Sequence, residues 1–129
     1  MMEFLVFVIA SYYQLPYGLL PAICHTESKF IEKAVNEQDP SYGVCQVMLP
    51  TAKLVLKRNV SKEELLHGVF NISVAALYVR RNIKRYPYNL KCVISAYNAG
   101  SCTFKNKRYV EKVLKKLKQY NPMLYEVIK

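Results

Sequence analysis

Residues 69–86 read VFNISVAALYVRRNIKRY, and Pro87 follows. Ile72, Ala75, Ala76, Val79 and Ile83 recur at steps of three and four, which gathers them on one face of a helix and would scatter them over both faces of a strand. Such a stripe has to be buried against other elements, and proline, lacking an amide hydrogen, ends the run. Similar punctuation repeats along the chain. Residues 3–13 form a first short helix, halted as Pro16 disfavours helical geometry at Leu15. A second helix runs from Pro16 to about Phe30, with Pro21 near its first turn, where amide groups lack partners anyway. Thr51 begins another, and Ser61-Lys62-Glu63-Glu64 is a capping-box pattern. Asn89 caps a helix through Ala99 that Gly100 terminates. Tyr109, Val110, Val113, Leu114 and Leu117 stripe a lysine-rich helix, and Asn121-Pro122 opens a last one. Residues 36–50 are turn-rich. No run alternates long enough for a sheet, so the expected fold is all-α, with at most a short β-hairpin.

The 129 residues, 52% of them hydrophobic and only four of them glycine, suit a single domain with its own core rather than a disordered or low-complexity chain. The run Phe4–Cys24 carries no charge and has the length of a membrane span, but prolines interrupt it and its strongly apolar part, FLVFVIA, is short. It also lacks the positive flank of a secretory signal, since Glu3 precedes it. A buried first helix is therefore expected. Cys24, Cys45, Cys92 and Cys102 contain no CxxC pair, which argues against zinc, and a chain of this size does not need disulfides. Cys24 and Cys45 stand where apolar residues would be expected, so buried free thiols are the default, and the sequence leaves the disulfide state of the four open.

The net charge of +10 is lopsided: residues 1–50 hold two lysines against five acids, and residues 51–129 hold 17 Lys and Arg against four acids. A basic half of this kind concentrates polyanions near it, in a salt-screened way, without specifying which.

Three segments suggest chemistry: Glu27-Ser28 at the end of an uncharged helix, SYGVCQ at 41–46, and AYNAG at 96–100. Pro50-Thr51-Ala52 and Asn71-Ile72, followed by Ala75 and Tyr78-Val79, stand between them. In order and spacing these resemble the soluble lytic transglycosylase family, relatives of goose-type lysozyme, over about Ile9 to Tyr109. The resemblance implies a lysozyme-like domain that cuts the glycan strand of peptidoglycan between N-acetylmuramic acid and N-acetylglucosamine without hydrolysis. Glycosidic cleavage needs a protonated carboxylic acid, and partial burial supplies one by disfavouring the charged form. By resemblance Glu27 protonates the leaving oxygen, then as carboxylate takes the proton of the substrate's own 6-hydroxyl, which closes an anhydro ring. One carboxylate then suffices, where most glycosidases use two.

The resemblance also implies that Gln46 bonds the sugar backbone, that Tyr97 and Asn98 lie across the cleft with Tyr97 near Glu27, and that Ser28 supports local geometry or touches substrate. Asn36 stands where the family commonly has a serine that contacts the reacting sugar. Asp39 is a possible second acid, through which a goose-type-like hydrolase would orient a water; turn chemistry at Asp-Pro-Ser is the plainer account of it. No cofactor or metal is implied. The expected partners are peptidoglycan strands and, through the basic half, anionic envelope polymers, with a monomer acting at the cell wall, a size and charge that suit a phage lysin. A cysteine hydrolase is disfavoured because His25 projects about 100° from Cys24 on a helix. A basic nucleic-acid-binding module would account for Arg80, Arg81, Lys84, Arg85 and residues 105–118 but for none of the motifs, so no nucleic acid is expected.

Overall fold

The computed structural model describes residues 1–129, in which eight helices and one two-stranded hairpin follow in order. They are α1 (Met2–Tyr12), α2 (Leu19–Ser28), β1 (Val35–Asn36), β2 (Ser41–Tyr42), α3 (Leu49–Leu56), α4 (Lys62–Leu65), α5 (Gly68–Arg85), α6 (Leu90–Ala99), α7 (Lys107–Tyr120) and α8 (Pro122–Ile128). The fold is the helical, lysozyme-like one expected. The antiparallel hairpin pairs Val35 with Tyr42 and Asn36 with Ser41.

The helix ends obey local chemistry. Ser61 Oγ accepts from Glu64 N at 3.1 Å while Glu64 Oε1 accepts from Ser61 N at 3.1 Å, a complete capping box. Asn89 Oδ1 accepts from Cys92 N at 3.0 Å, and Gly100 closes α6 at φ 87°. Asn121 Oδ1 accepts from Leu124 N at 3.1 Å to open α8. The start of α2 differs from expectation. Gly18 sits at φ 86° before Leu19, so Pro16 and Tyr17 belong to the preceding turn and Pro21 falls within the first helical turn. A Cβ on Gly18 would lie 2.9 Å from Tyr120 Cβ, so glycine also lets α7 approach.

The long α5 is the axis: α1, α2, α3, α4 and α6 pack on it, burying Ile72, Ala75, Ala76 and Val79 of the stripe that opened the sequence. On the other side α7 packs on α2, α6 and α8 through Val113, Leu114 and Leu117. Each such side chain contributes about 1.5–3 kcal/mol when fully buried.

Two expectations are corrected. The first helix is not buried: Val6 and Ala10 enter the core, but Phe4 and Tyr12 are 67% and 79% exposed, because α1 packs on α2 and α5 by one face only. No helix is long and apolar enough to cross a membrane. The cysteines are not free thiols. Cys24 bonds Cys45, and Cys92 bonds Cys102. The pairings bring a helix onto a loop 21 residues away and the start of α6 onto the segment after it, contacts that CxxC-type spacing does not encode.

Candidate active site

The site rests on the tight loop 43–47, which several groups hold against the helices. Gly43 adopts φ 84°, and a Cβ there would fall 2.3 Å from Asn71 Nδ2 and 2.5 Å from the Leu65 carbonyl oxygen, so only glycine fits. Asn71, fully buried on α5, donates through Nδ2 to the Tyr42 and Leu65 carbonyls at 2.7 and 2.8 Å and accepts from Cys45 N at 2.9 Å. Its three bonds satisfy backbone groups that burial would otherwise leave unpaired. Ser28 Oγ donates to the Val44 carbonyl at 2.6 Å, and Tyr97 Oη donates to the Cys45 carbonyl at 2.6 Å. The Cys24–Cys45 bridge adds a covalent tie one helical turn before Glu27. Thus α2, α5 and α6 all converge on Cys45 and its neighbours.

Glu27 emerges from the last turn of α2, partly buried. Its Oε2 accepts one hydrogen bond, from Tyr109 Oη on α7 at 2.7 Å. Burial pushes its pKa up from 4.5 to about 7, against the smaller opposing effect of that hydrogen bond, which favours the carboxylate. Burial first, and then the Glu27 charge, hold the Tyr109 hydroxyl well above the ordinary tyrosine range, so it remains a donor at neutral pH. A carboxyl with a pKa near neutrality divides its time between acid and base, which suits proton transfer in both directions.

Glu27 opens into a cleft of about 520 Å³, counting the solvent at its mouth, lined also by Asn36, Asp39, Gln46, Tyr97 and Asn98. These side chains are not equally free. Gln46, at φ 52°, accepts from Ser41 Oγ at 2.8 Å and donates from Nε2 to the Gly43 and Ala34 carbonyls at 3.1 and 3.2 Å. Its amide therefore braces the loop, and the residue forms part of the cleft wall. Asn36 Oδ1 accepts from the Gln38 and Asp39 amides at 3.1 and 3.4 Å, so it shapes the turn that carries Asp39. Asn98 Oδ1 accepts from Asn106 Nδ2 at 2.9 Å. Asp39 is exposed on the hairpin turn at the cleft's edge.

The structure places Ser28 outside the cleft lining, where its hydroxyl donates to the Val44 carbonyl and accepts from Ile31 N at 3.1 Å, a support for the loop. Tyr97 lines the cleft but directs its hydroxyl at Cys45, and the tyrosine that reaches Glu27 is Tyr109. Sequence reasoning placed Tyr109 in the buried stripe of α7 and missed its polar end. The signal was a tyrosine at the head of an otherwise aliphatic stripe, whose hydroxyl needs a partner when buried. Ser41, Val47, Met48, Thr51 and Tyr78 complete the lining, and Tyr78 Oη donates to the Ala96 carbonyl at 3.3 Å. With Cys24 in a disulfide, the cysteine nucleophile has no thiol. No group of three or more His, Cys, Asp or Glu side chains is placed to hold a metal ion.

No curated protein matches the sequence. Among solved structures, the fold is similar to an inactive glutamate-to-glutamine mutant of the lytic transglycosylase Slt from Pseudomonas aeruginosa, with a TM-score of 0.80 and 21% identity. That match covers 96% of this chain and 24% of the Pseudomonas chain, so these 129 residues span about a quarter of the larger protein's length. The family comparison is broader in what it establishes: residues 4–120 match the Transglycosylase SLT domain, and the chain belongs to that family.

Proposed function

We propose that this protein is a peptidoglycan lytic transglycosylase that cleaves the β-1,4 bond between N-acetylmuramic acid and N-acetylglucosamine and leaves 1,6-anhydromuramic ends. The observation that carries the reading is Glu27, held at a pKa of about 7 by burial with a neutral tyrosine as its hydrogen-bond partner. In the first step the protonated carboxyl gives its proton to the glycosidic oxygen, the C1–O4 bond breaks, and N-acetylglucosamine leaves as an alcohol. Positive charge then develops at C1 of the muramyl residue. In the second step the substrate's 6-hydroxyl oxygen bonds to C1, and the Glu27 carboxylate takes the hydroxyl proton. The acid is regenerated, no water is consumed, and the ring closes within one sugar.

The other lining residues have supporting parts. Gln46 through its carbonyl oxygen and Asn98 through its amide nitrogen hydrogen-bond the sugar backbone, and Asn36 shapes the turn that carries Asp39. Tyr97 acts through Cys45, as a positioning residue that fixes the loop rather than the acid. The 129 residues act as one catalytic unit at the cell wall, and the cationic half favours adsorption to its anionic polymers.

A second reading has one observation in its favour: Asp39 lines the same cleft as Glu27. If Asp39 orients a water, the product is a reducing end and the enzyme is a hydrolase. Mass spectrometry of the products from purified peptidoglycan separates the two, with Glu27→Gln as the control. Anhydro ends, one water lighter than reducing ends, are expected from the wild type and nothing from the variant. Reducing ends that vanish in Asp39→Asn would replace the transglycosylase reading by the hydrolytic one.

A further inference from the structure

Asn98 lines the cleft, and what it offers a substrate depends on which way its amide is turned. An asparagine side chain ends in an acceptor oxygen and an NH2 donor of nearly the same shape, so its partners decide the orientation. Asn98 has one such partner. Its Oδ1 accepts from Asn106 Nδ2 at 2.9 Å, and its own Nδ2 makes no hydrogen bond within the protein. Asn106 does not line the cleft. It is the residue before α7, eight positions further along the chain, yet its amide sets the polarity of the one that does.

The orientation of Asn106 is itself dictated. Its Nδ2 also donates to the Ser95 carbonyl at 3.0 Å, and a backbone carbonyl can only accept. Its Oδ1 accepts from Ser95 Oγ at 2.8 Å. Turning the Asn106 amide over would set oxygen against oxygen at Ser95, which is buried, so water would not relieve the mismatch. The bonds therefore run in one direction. The Ser95 carbonyl fixes Asn106, Asn106 fixes Asn98, and the α6 wall of the cleft is left with a donor. Gln46 is committed the opposite way: both Nε2 hydrogens go to the Gly43 and Ala34 carbonyls, so its capacity that remains is on Oε1.

The backbone around Asn106 is held without its side chain. The Cys92–Cys102 bridge, the bond from Cys102 N to Tyr86 Oη at 3.1 Å and the bond from Thr103 N to Ser95 Oγ at 3.0 Å tie down the segment between α6 and α7. Asn106 also stands at the N-cap position of α7 without making a side-chain cap bond. Asparagine is common there because it caps. Here the side chain is spent on Ser95 and Asn98 instead.

Resting on the reading of Asn98 as a sugar-binding group, we infer that Asn106 is a positioning residue that commits the α6 wall of the cleft to donating, so that the glycan strand is recognised there through an acceptor oxygen. Asn106 touches neither the strand nor Glu27 and acts through Asn98 alone. Its replacement by aspartate puts an oxygen at both ends of the side chain. Asn98 then turns its NH2 group towards residue 106 and shows Oδ1 to the strand, where two acceptors meet. Its replacement by alanine leaves the Asn98 amide free to turn either way.

The test measures the Kd of soluble, uncross-linked glycan strands by titration calorimetry, with Glu27→Gln as the parent so that nothing is cleaved. Asn106→Asp should weaken binding about tenfold, the cost of one polar group left opposed to its own kind. Asn106→Ala should weaken it about twofold, since about half the molecules then present the donor. Asn98→Ala should also weaken binding, and in that background Asn106→Asp and Asn106→Ala should have no further effect. That cycle is the decisive readout, because a residue that merely supports the fold would cost the same affinity with or without Asn98. Equal losses in the two backgrounds would overturn the inference, as would parental affinity in Asn106→Asp or in Asn98→Ala. If Asn106→Asp does not fold, Asn106→Ala decides by the same cycle. A parent that binds no strand would overturn both this inference and the function proposed above. Reducing ends in the product assay would remove the transglycosylase reading and leave the role of Asn106 standing.

Discussion

The burial that raises the pKa of Glu27 should make the fold less stable at alkaline pH, and removing the charge should reveal how much. Burial raises its pKa from 4.5 to about 7. Between those values the native state keeps a proton that the unfolded chain has released, so stability falls as pH rises through this window and the full cost is present above about pH 8. At 1.36 kcal/mol per pKa unit the shift corresponds to about 3 kcal/mol. Glu27→Gln abolishes the charge, keeps the shape, and leaves an amide oxygen to accept from Tyr109. The amide itself resists desolvation, which offsets about 1 kcal/mol of the gain. The net expectation is about 2 kcal/mol of stabilisation at pH 8 and about 1 kcal/mol of destabilisation at pH 4, where both states of the wild type are largely protonated and only the cost of the amide remains. For a chain of this length the stabilisation at pH 8 is about 8 °C in Tm. Thermal melts by circular dichroism at pH 4, 6 and 8, with disulfides intact and exposed Glu37→Gln as the control, provide the measurement. A Tm difference that does not change with pH would refute the reasoning, because it would mean that Glu27 has no raised pKa in the native state.

Tyr109→Phe removes a hydrogen bond that favours the carboxylate. The alkaline limb of the pH–rate profile should therefore move above about pH 7, whereas loss of a purely structural residue would lower the rate at every pH alike. Asn71→Ala leaves the Cys45 amide and the Tyr42 and Leu65 carbonyls without their partner. At about 1–3 kcal/mol for each group left unsatisfied, partly relieved by relaxation, a loss of about 3–5 kcal/mol is expected from urea unfolding. Cys24→Ala/Cys45→Ala removes a bridge across 21 residues, which should cost about 3 kcal/mol. Activity at 25 °C should largely persist, since Asn71, Ser28 and Tyr97 still hold the loop. A Tm unchanged by the double substitution would count against the bridge.

The features legible in the sequence were those written in local order. Pro87, Asn89, Gly100, Ser61 and Asn121 act on backbone within a few residues of themselves, and the helices end where they stand. What was not legible was which side chain meets which across the molecule. Tyr97 and Tyr109 are both tyrosines in or near helices facing the core, and no spacing rule decides which of them bonds Glu27. The answer depends on the packing of α7 against α2, which places residue 109 beside residue 27 across 82 positions of chain. The cysteines pose the same problem. Cys24 reads as an apolar helix residue and Cys45 as loop filler until α2 and the loop are laid together. The α1 helix shows the converse error, since an apolar run dictates that some face be buried without saying how much of it.

These long-range choices have a common electrostatic logic. A lysine or arginine within about 4–6 Å of Glu27 would lower its pKa by one to three units and leave it an ionised carboxylate at neutral pH. Residues 51–129 contain 17 such cations, and Arg108 directly precedes Tyr109 in sequence. Nevertheless the side chain that touches Glu27 is a phenol, which can satisfy the carboxyl's hydrogen bond without bringing a charge. The lysines of α7 follow a different face: Lys112, Lys115 and Lys116 line a depression with His25 and Lys29 on a side of α2 from which Glu27 is absent. The amphipathic pattern of α7 therefore does two separate jobs. It buries Val113, Leu114 and Leu117 against the core, and it keeps a strongly basic helix in contact with the proposed acid, Glu27, while offering it a hydrogen bond from a neutral donor.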